Sequence, residues 1–82
     1  MMSQDELFHV VKNTLVELFE LDPARISLEA RFNDDLEIDS IDAVDLIDHL
    51  SRRFHHKVDP RDFRAVRTVQ DLVDAIRRMQ GP

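Results

Sequence analysis

In Asp35-Leu36-Glu37-Ile38-Asp39-Ser40-Ile41-Asp42 a single serine stands among carboxylates, where an irregular stretch gives way to an amphipathic one. The first amides of a helix lack intrahelical partners and lie at the positive end of the helix dipole, so a phosphate is stabilised there. With Asp39 as N-cap, Ser40 is the first helical residue and its hydroxyl can point outward, within reach of a modifying enzyme. Asp-Ser before such a helix is most often plain capping, so these residues alone leave both readings open. No histidine, lysine or cysteine has an evident role as a base for Ser40, which argues against catalysis by the chain itself. Two metal readings fail on spacing. A calcium loop starting at Asn33 needs glycine at its sixth place and glutamate at its twelfth, where Ile38 and Val44 stand. His49, His55 and His56 match no zinc pattern and read as exposed residues, and His9 reads as a surface or boundary residue of the first helix.

The elements that must position Ser40 are helical. Ser3 followed by Glu6 fits a capping box. Leu7, Val10, Val11, Leu15 and Leu18 then recur at spacings of three and four, and Phe19 and Leu21 continue the stripe to Asp22-Pro23, where proline ends it. Over residues 22–38 Ile26, Ala30, Phe32, Leu36 and Ile38 are scattered apolar anchors, as in a long loop pinned onto a core and kept for function. A second helix is expected from Asp39 or Ser40 to about Phe54, with Val44, Ile47, Leu50 and Phe54 on its buried face and Leu46 and Ile41 beside them. Residues 55–60 break the pattern, and 60–65 fit a short helical turn that docks Phe63. Thr68 and Asp71 resemble a second cap, and Val69, Leu72, Val73, Ile76 and Met79 form the stripe of a last helix stopped by Gly81-Pro82. The expected fold is all-α: a small antiparallel bundle of three main helices and one short one, with a long loop between helices 1 and 2.

Composition narrows the function classes. The 82 residues fit one domain, residues 1–82, with no internal repeat or linker. There is no cysteine, which excludes disulfides, thiolate metal sites and cysteine catalysis. No apolar run approaches the ~20 residues of a membrane helix, and the first residues lack the features of a signal peptide. A cytoplasmic monomer, without membrane insertion, is the expectation. The net charge of −6 is unevenly spread: residues 1–50 carry 13 acidic and 3 basic side chains, residues 51–82 carry 4 and 8. An acidic chain with few aromatics argues against nucleic acid and for a partner with a basic surface.

Ile26, Ala30, Phe32, Asp35-Leu36, Asp39-Ser40-Ile41, Phe54, Val66, Thr68-Val69 and the final helix match the spacing of one known family over almost the whole length. On these residues the chain resembles the acyl carrier proteins, whose motif is Asp-Ser-Leu; Ile41 is an isosteric variant of its third position. The resemblance implies a four-helix carrier, not an enzyme. A phosphopantetheinyl transferase would move 4'-phosphopantetheine from coenzyme A onto the Ser40 hydroxyl. The thiol of that arm would then hold acyl intermediates as thioesters. It further implies that Asp39 helps position the transferase's metal and cofactor. Asp35, Glu37, Ile41, Asp42, Val44, Asp45 and Asp48 would form the docking surface for basic patches on acyl-transferring, ketosynthase, reductase or dehydratase enzymes. Without the resemblance, the acids read as a solvated helix face and Val44 equally as core.

Three departures bear on partner choice. Glu37 replaces a usual glycine, at a cost of ~1–2 kcal/mol if its backbone is left-handed. The second helix ends in Ser51-Arg52-Arg53, which with His55, His56 and Lys57 makes a basic collar where the family often has acids. Asp48 replaces a frequent apolar residue. The resemblance implies fatty acid, polyketide, polyene or related lipid biosynthesis; these changes look like a carrier for a specialised pathway among them and count against docking of housekeeping fatty acid enzymes. The rival from another class is an unmodified acidic helical interaction module.

Overall fold

The computed structural model describes residues 2–55 and 63–80, and within them the chain forms three α-helices and no strand. Helix α1 runs Gln4–Phe19, and the expected capping box opens it. The Ser3 Oγ accepts the Glu6 N–H at 3.2 Å while Glu6 Oε1 accepts the Ser3 N–H at 3.2 Å, so two otherwise orphaned donors are satisfied. Leu7, Val11 and Leu15 are fully buried. Thr14 is buried beside them because its hydroxyl donates to the Val10 carbonyl at 2.8 Å. The helix ends earlier than its apolar stripe implies. Glu20 turns left-handed, and its N–H donates to the Val16 carbonyl at 2.9 Å, three residues before Pro23. Proline instead opens a single 3-10 turn, Pro23–Arg25, capped by the Asp22 carboxylate on the Ala24 N–H.

The five anchors of the long loop are all buried, and they join the side chains of the three helices in one core. The loop is also tied down by its backbone. Phe32 donates to the Arg67 carbonyl, Val69 to that of Ala30 and Gln70 to that of Leu28, at 2.9–3.0 Å, around an isolated antiparallel bridge between Arg31 and Thr68. These bonds satisfy polar groups that a loop laid over a core would otherwise bury without partners.

Helix α2 spans Ser40–Phe54 and α3 spans Val69–Gln80; α1 packs against both. Leu46, Ile47 and Leu50 are the buried residues of α2. Val44 and Ile41 are not part of that face: they are 61% and 75% exposed, the two exposed large hydrophobics among the described residues. The inward line of α2 runs one position further round than the spacing 44, 47 implies. His55 ends α2 in a left-handed conformation, its N–H on the Ser51 carbonyl. In α3, Val69, Leu72, Val73 and Ile76 are buried, and the cap appears as read: Thr68 Oγ1 accepts the Asp71 N–H at 3.2 Å, and Asp71 Oδ2 accepts the N–H groups of Thr68 and Arg67.

Half of the short helix expected over 60–65, residues 60–62, lies outside the described residues, as do His56, Lys57 and Gly81-Pro82. Phe63 does dock, its ring centroid 6.0 Å from that of Phe32. Among the described residues no helix is long and apolar enough to cross a membrane.

Candidate functional site

The approach to Ser40 is built by the loop's last anchors. Leu36 and Ile38 are buried, and the Ile38 N–H donates to the Phe32 carbonyl at 2.7 Å. Between them Glu37 is left-handed, with φ 55°, so the conditional cost of replacing glycine there is incurred. Asp35 is committed to the loop. Its Oδ2 accepts the Arg31 N–H at 2.7 Å, and its carbonyl accepts a guanidinium N–H of Arg25 at 2.6 Å. The carboxylate faces solvent but is held in place, with Arg31 also paired to Asp34 at 3.5 Å.

Asp39 is the N-cap of α2, in extended backbone, and its Oδ1 accepts both the Ile41 N–H at 3.0 Å and the Asp42 N–H at 2.9 Å. Ser40 is the first helical residue, exposed, and among the described residues its side chain has no hydrogen-bond partner. The two readings of Asp-Ser are therefore compatible: Asp39 caps, and the Ser40 hydroxyl is left over. One expectation changes. The amides of Ile41 and Asp42, which would receive a phosphate at this helix end, are already taken by Asp39. A phosphodiester on Ser40 would project into solvent without those amides as donors.

Beyond Ser40 the outer face of α2 carries every remaining residue proposed for docking. Ile41 and Val44 form an apolar pair, Asp42 is half-buried beside them, and Asp45 and Asp48 are exposed. Asp48 is not free: its Oδ2 lies 3.1 Å from the Arg52 guanidinium one turn on. Arg53 and His55 are exposed at the same end. Glu37 and Asp35 stand on the loop side of Ser40, so the seven proposed residues flank the serine from two sides.

A cavity that sequence reasoning missed lies between α2 and α3. It has a volume of about 460 Å³, and its apolar wall includes Ile47, Leu50, Val66, Leu72, Ile76 and Met79. No three histidine or acidic side chains among the described residues are grouped to hold a metal.

This fits an attachment domain: an exposed hydroxyl on a rigid helix end, with an apolar recess on the same helix. A family model described as a phosphopantetheine attachment site matches residues 9–76. The chain is 36% identical to acyl carrier protein 2 of Ralstonia nicotianae over 78 residues, covering 95% of this chain and 96% of the relative. It is 37% identical to an acyl carrier protein of Thermotoga maritima over 81 residues, 99% and 100% of the two. A Lactobacillus acidophilus acyl carrier protein is 34% identical over 98% of this chain and 100% of its own length. The chain belongs to the acyl carrier protein family. Its cofactor is covalently attached 4'-phosphopantetheine.

Proposed function

We propose that this chain is one carrier domain over residues 1–82, that Ser40 is its attachment residue, and that it is not a catalyst. The observation that carries the assignment is the exposed Ser40 hydroxyl, without a hydrogen-bond partner among the described residues, on a helix start that Asp39 already stabilises. In loading, the Ser40 Oγ forms a bond to the pantetheine-bearing phosphorus of coenzyme A. The P–O bond to the adenosine bisphosphate half breaks, that half leaves, and the hydroxyl proton passes to the transferase. When bound, the arm supplies a thiol that holds acyl groups as thioesters. The chain's own residues keep the helix start rigid, with Asp39 closing it from the inside and facing the transferase's metal and cofactor from the outside. Ile47 and Leu50 open an apolar recess for cargo, where each buried methylene contributes about 0.8 kcal/mol.

The partners in this reading are the transferase and cytoplasmic enzymes of acyl assembly. Left-handed Glu37, Asp48 paired to Arg52, and the basic end of α2 support a specialised lipid, polyketide or polyene pathway over housekeeping fatty acid synthesis. Ser40→Ala tests the attachment. Incubation with coenzyme A and a phosphopantetheinyl transferase should add one phosphopantetheine mass to the native chain and none to the variant, with an unchanged circular dichroism spectrum. Equal mass gain on both proteins rejects Ser40. No gain on either favours an unmodified interaction module.

A further inference from the structure

Along the outer line of α2, Ile41, Asp45, Asp48 and Arg52 follow one another at spacings of four, three and four, so they form a single ridge. Ile41 and Val44 make it apolar beside Ser40. Among the described residues Asp42 and Asp45 have no cation within ion-pair distance, whereas Asp48 is paired to Arg52 at 3.1 Å. Arg53 is exposed and, among the described residues, has no carboxylate partner. The surface thus changes sign along its length: negative over the first two turns, internally neutralised over the third, positive at the end. At 1.5 Å per residue, Asp42 and Arg53 are roughly 16 Å apart along the axis, beyond the screening length of ~8 Å at physiological salt. A docked partner therefore meets two separate charges, not their average.

The order of charges also suits the helix dipole. The dipole does not account for two exposed large hydrophobics on the same line. An apolar centre rimmed by charge is the composition of a docking surface.

We infer that the enzyme face fitting α2 is bipolar: an apolar spot for Ile41 and Val44, lysine or arginine opposite Asp42 and Asp45, and aspartate or glutamate opposite Arg52 and Arg53. This rests on the carrier reading for the place of Ser40 beside the apolar pair. A partner face basic along its whole length meets like charge at the fourth turn, and such contacts act on encounter rate and discrimination.

The test uses the full chain and two forms of one probe enzyme. The first is a ketosynthase chosen because its carrier-binding face is basic throughout. The second is the same enzyme with the basic residues facing the end of α2 replaced by glutamate. Dissociation constants are measured at low and moderate salt for the native chain, for Arg52→Glu with Arg53→Glu, and for the milder Arg52→Gln with Arg53→Gln. The glutamate variant should bind the basic enzyme roughly five- to tenfold more tightly than the native chain does, and the re-charged enzyme more weakly by a similar factor. The glutamine variant should fall between, which keeps the comparison valid if the reversal unsettles the helix. Both differences should shrink with salt. Equal affinities of the native and variant chains for both enzymes overturn the inference. Binding needs no arm, so loading measured by mass in parallel distinguishes failure of the docking surface from failure of the attachment at Ser40.

Discussion

Glu20, Glu37 and His55 have φ of 54°, 55° and 56°, and none is glycine. At Glu20 and His55 the conformation closes a helix, and an amide finds the carbonyl four residues back. Glu37 sits instead between two buried anchors that force the turn on it. Glu37→Gly should relieve the clash between Cβ and backbone and raise stability by about 0.5–1 kcal/mol after the glycine's larger unfolded-state entropy. For a domain of this size that is a Tm increase of roughly 2–8 °C. Glu37→Ala, which keeps the Cβ, should leave the melting temperature unchanged; if both variants melt alike, the backbone is unstrained. Asp39 and Ser40 were legible in the sequence because capping is a local chemical rule. The left-handed Glu37 was legible only through the resemblance to carriers with glycine there. The exposure of Val44 was likewise legible only through the resemblance, because by spacing alone an apolar side chain left out for a partner has the same signature as one turned inward.

Helix ends were read well where a side chain caps them and poorly where the backbone does. The Thr68–Asp71 cap lies in plain sequence, while the end of α1 is set by Glu20, a residue with no turn-forming reputation. The cap on α3 has a pH signature. The Arg67 N–H holds the Asp71 carboxyl below its usual range, with smaller help from the backbone and hydroxyl of Thr68. Ser3 does the same to Glu6. A carboxyl whose folded pKa is depressed stabilises the fold fully above its unfolded pKa, about 3.9 for aspartate, and the stabilisation disappears as pH falls through the folded value. Urea midpoints from pH 7 to pH 2 should fall across that acid window. Asp71→Asn should be less stable at pH 7 and show a shallower acid limb. Parallel profiles for the two proteins would mean the cap is not linked to titration.

At the scale of the molecule, stability rests on the side chains that meet at the centre. Leu46 is fully buried, and Leu46→Ala should cost about 2–5 kcal/mol by lost transfer energy and the cavity left behind. A chain of this length has about 4–12 kcal/mol in total. Val44→Ala, on the exposed side, should stay within ~0.5 kcal/mol. Chemical denaturation of both variants checks the helix face: similar losses would place Val44 in the core after all. The loop's anchors were readable as apolar residues without a period, and all five are buried. Its pairing with the segment before α3 was not readable, since those bonds join backbone to backbone across more than thirty residues and leave no mark on side-chain identity. The cavity was not readable either, since it depends on how α2, α3 and the segment before α3 sit against one another.

That backbone pairing also makes the loop a mechanical lever. Leu28, Ala30 and Phe32 are fastened to Gln70, Val69 and Arg67, while Phe32 is fastened to Ile38 two residues before Ser40. The apolar recess is bounded by α2 on one side and α3 on the other. Displacing the start of α3 would strain the three loop bonds, and the Ile38–Phe32 bond ties that same loop to the approach to Ser40. The wall of the recess and the approach to Ser40 thus share one set of backbone joints, so in the proposed carrier a change at one is coupled to the other.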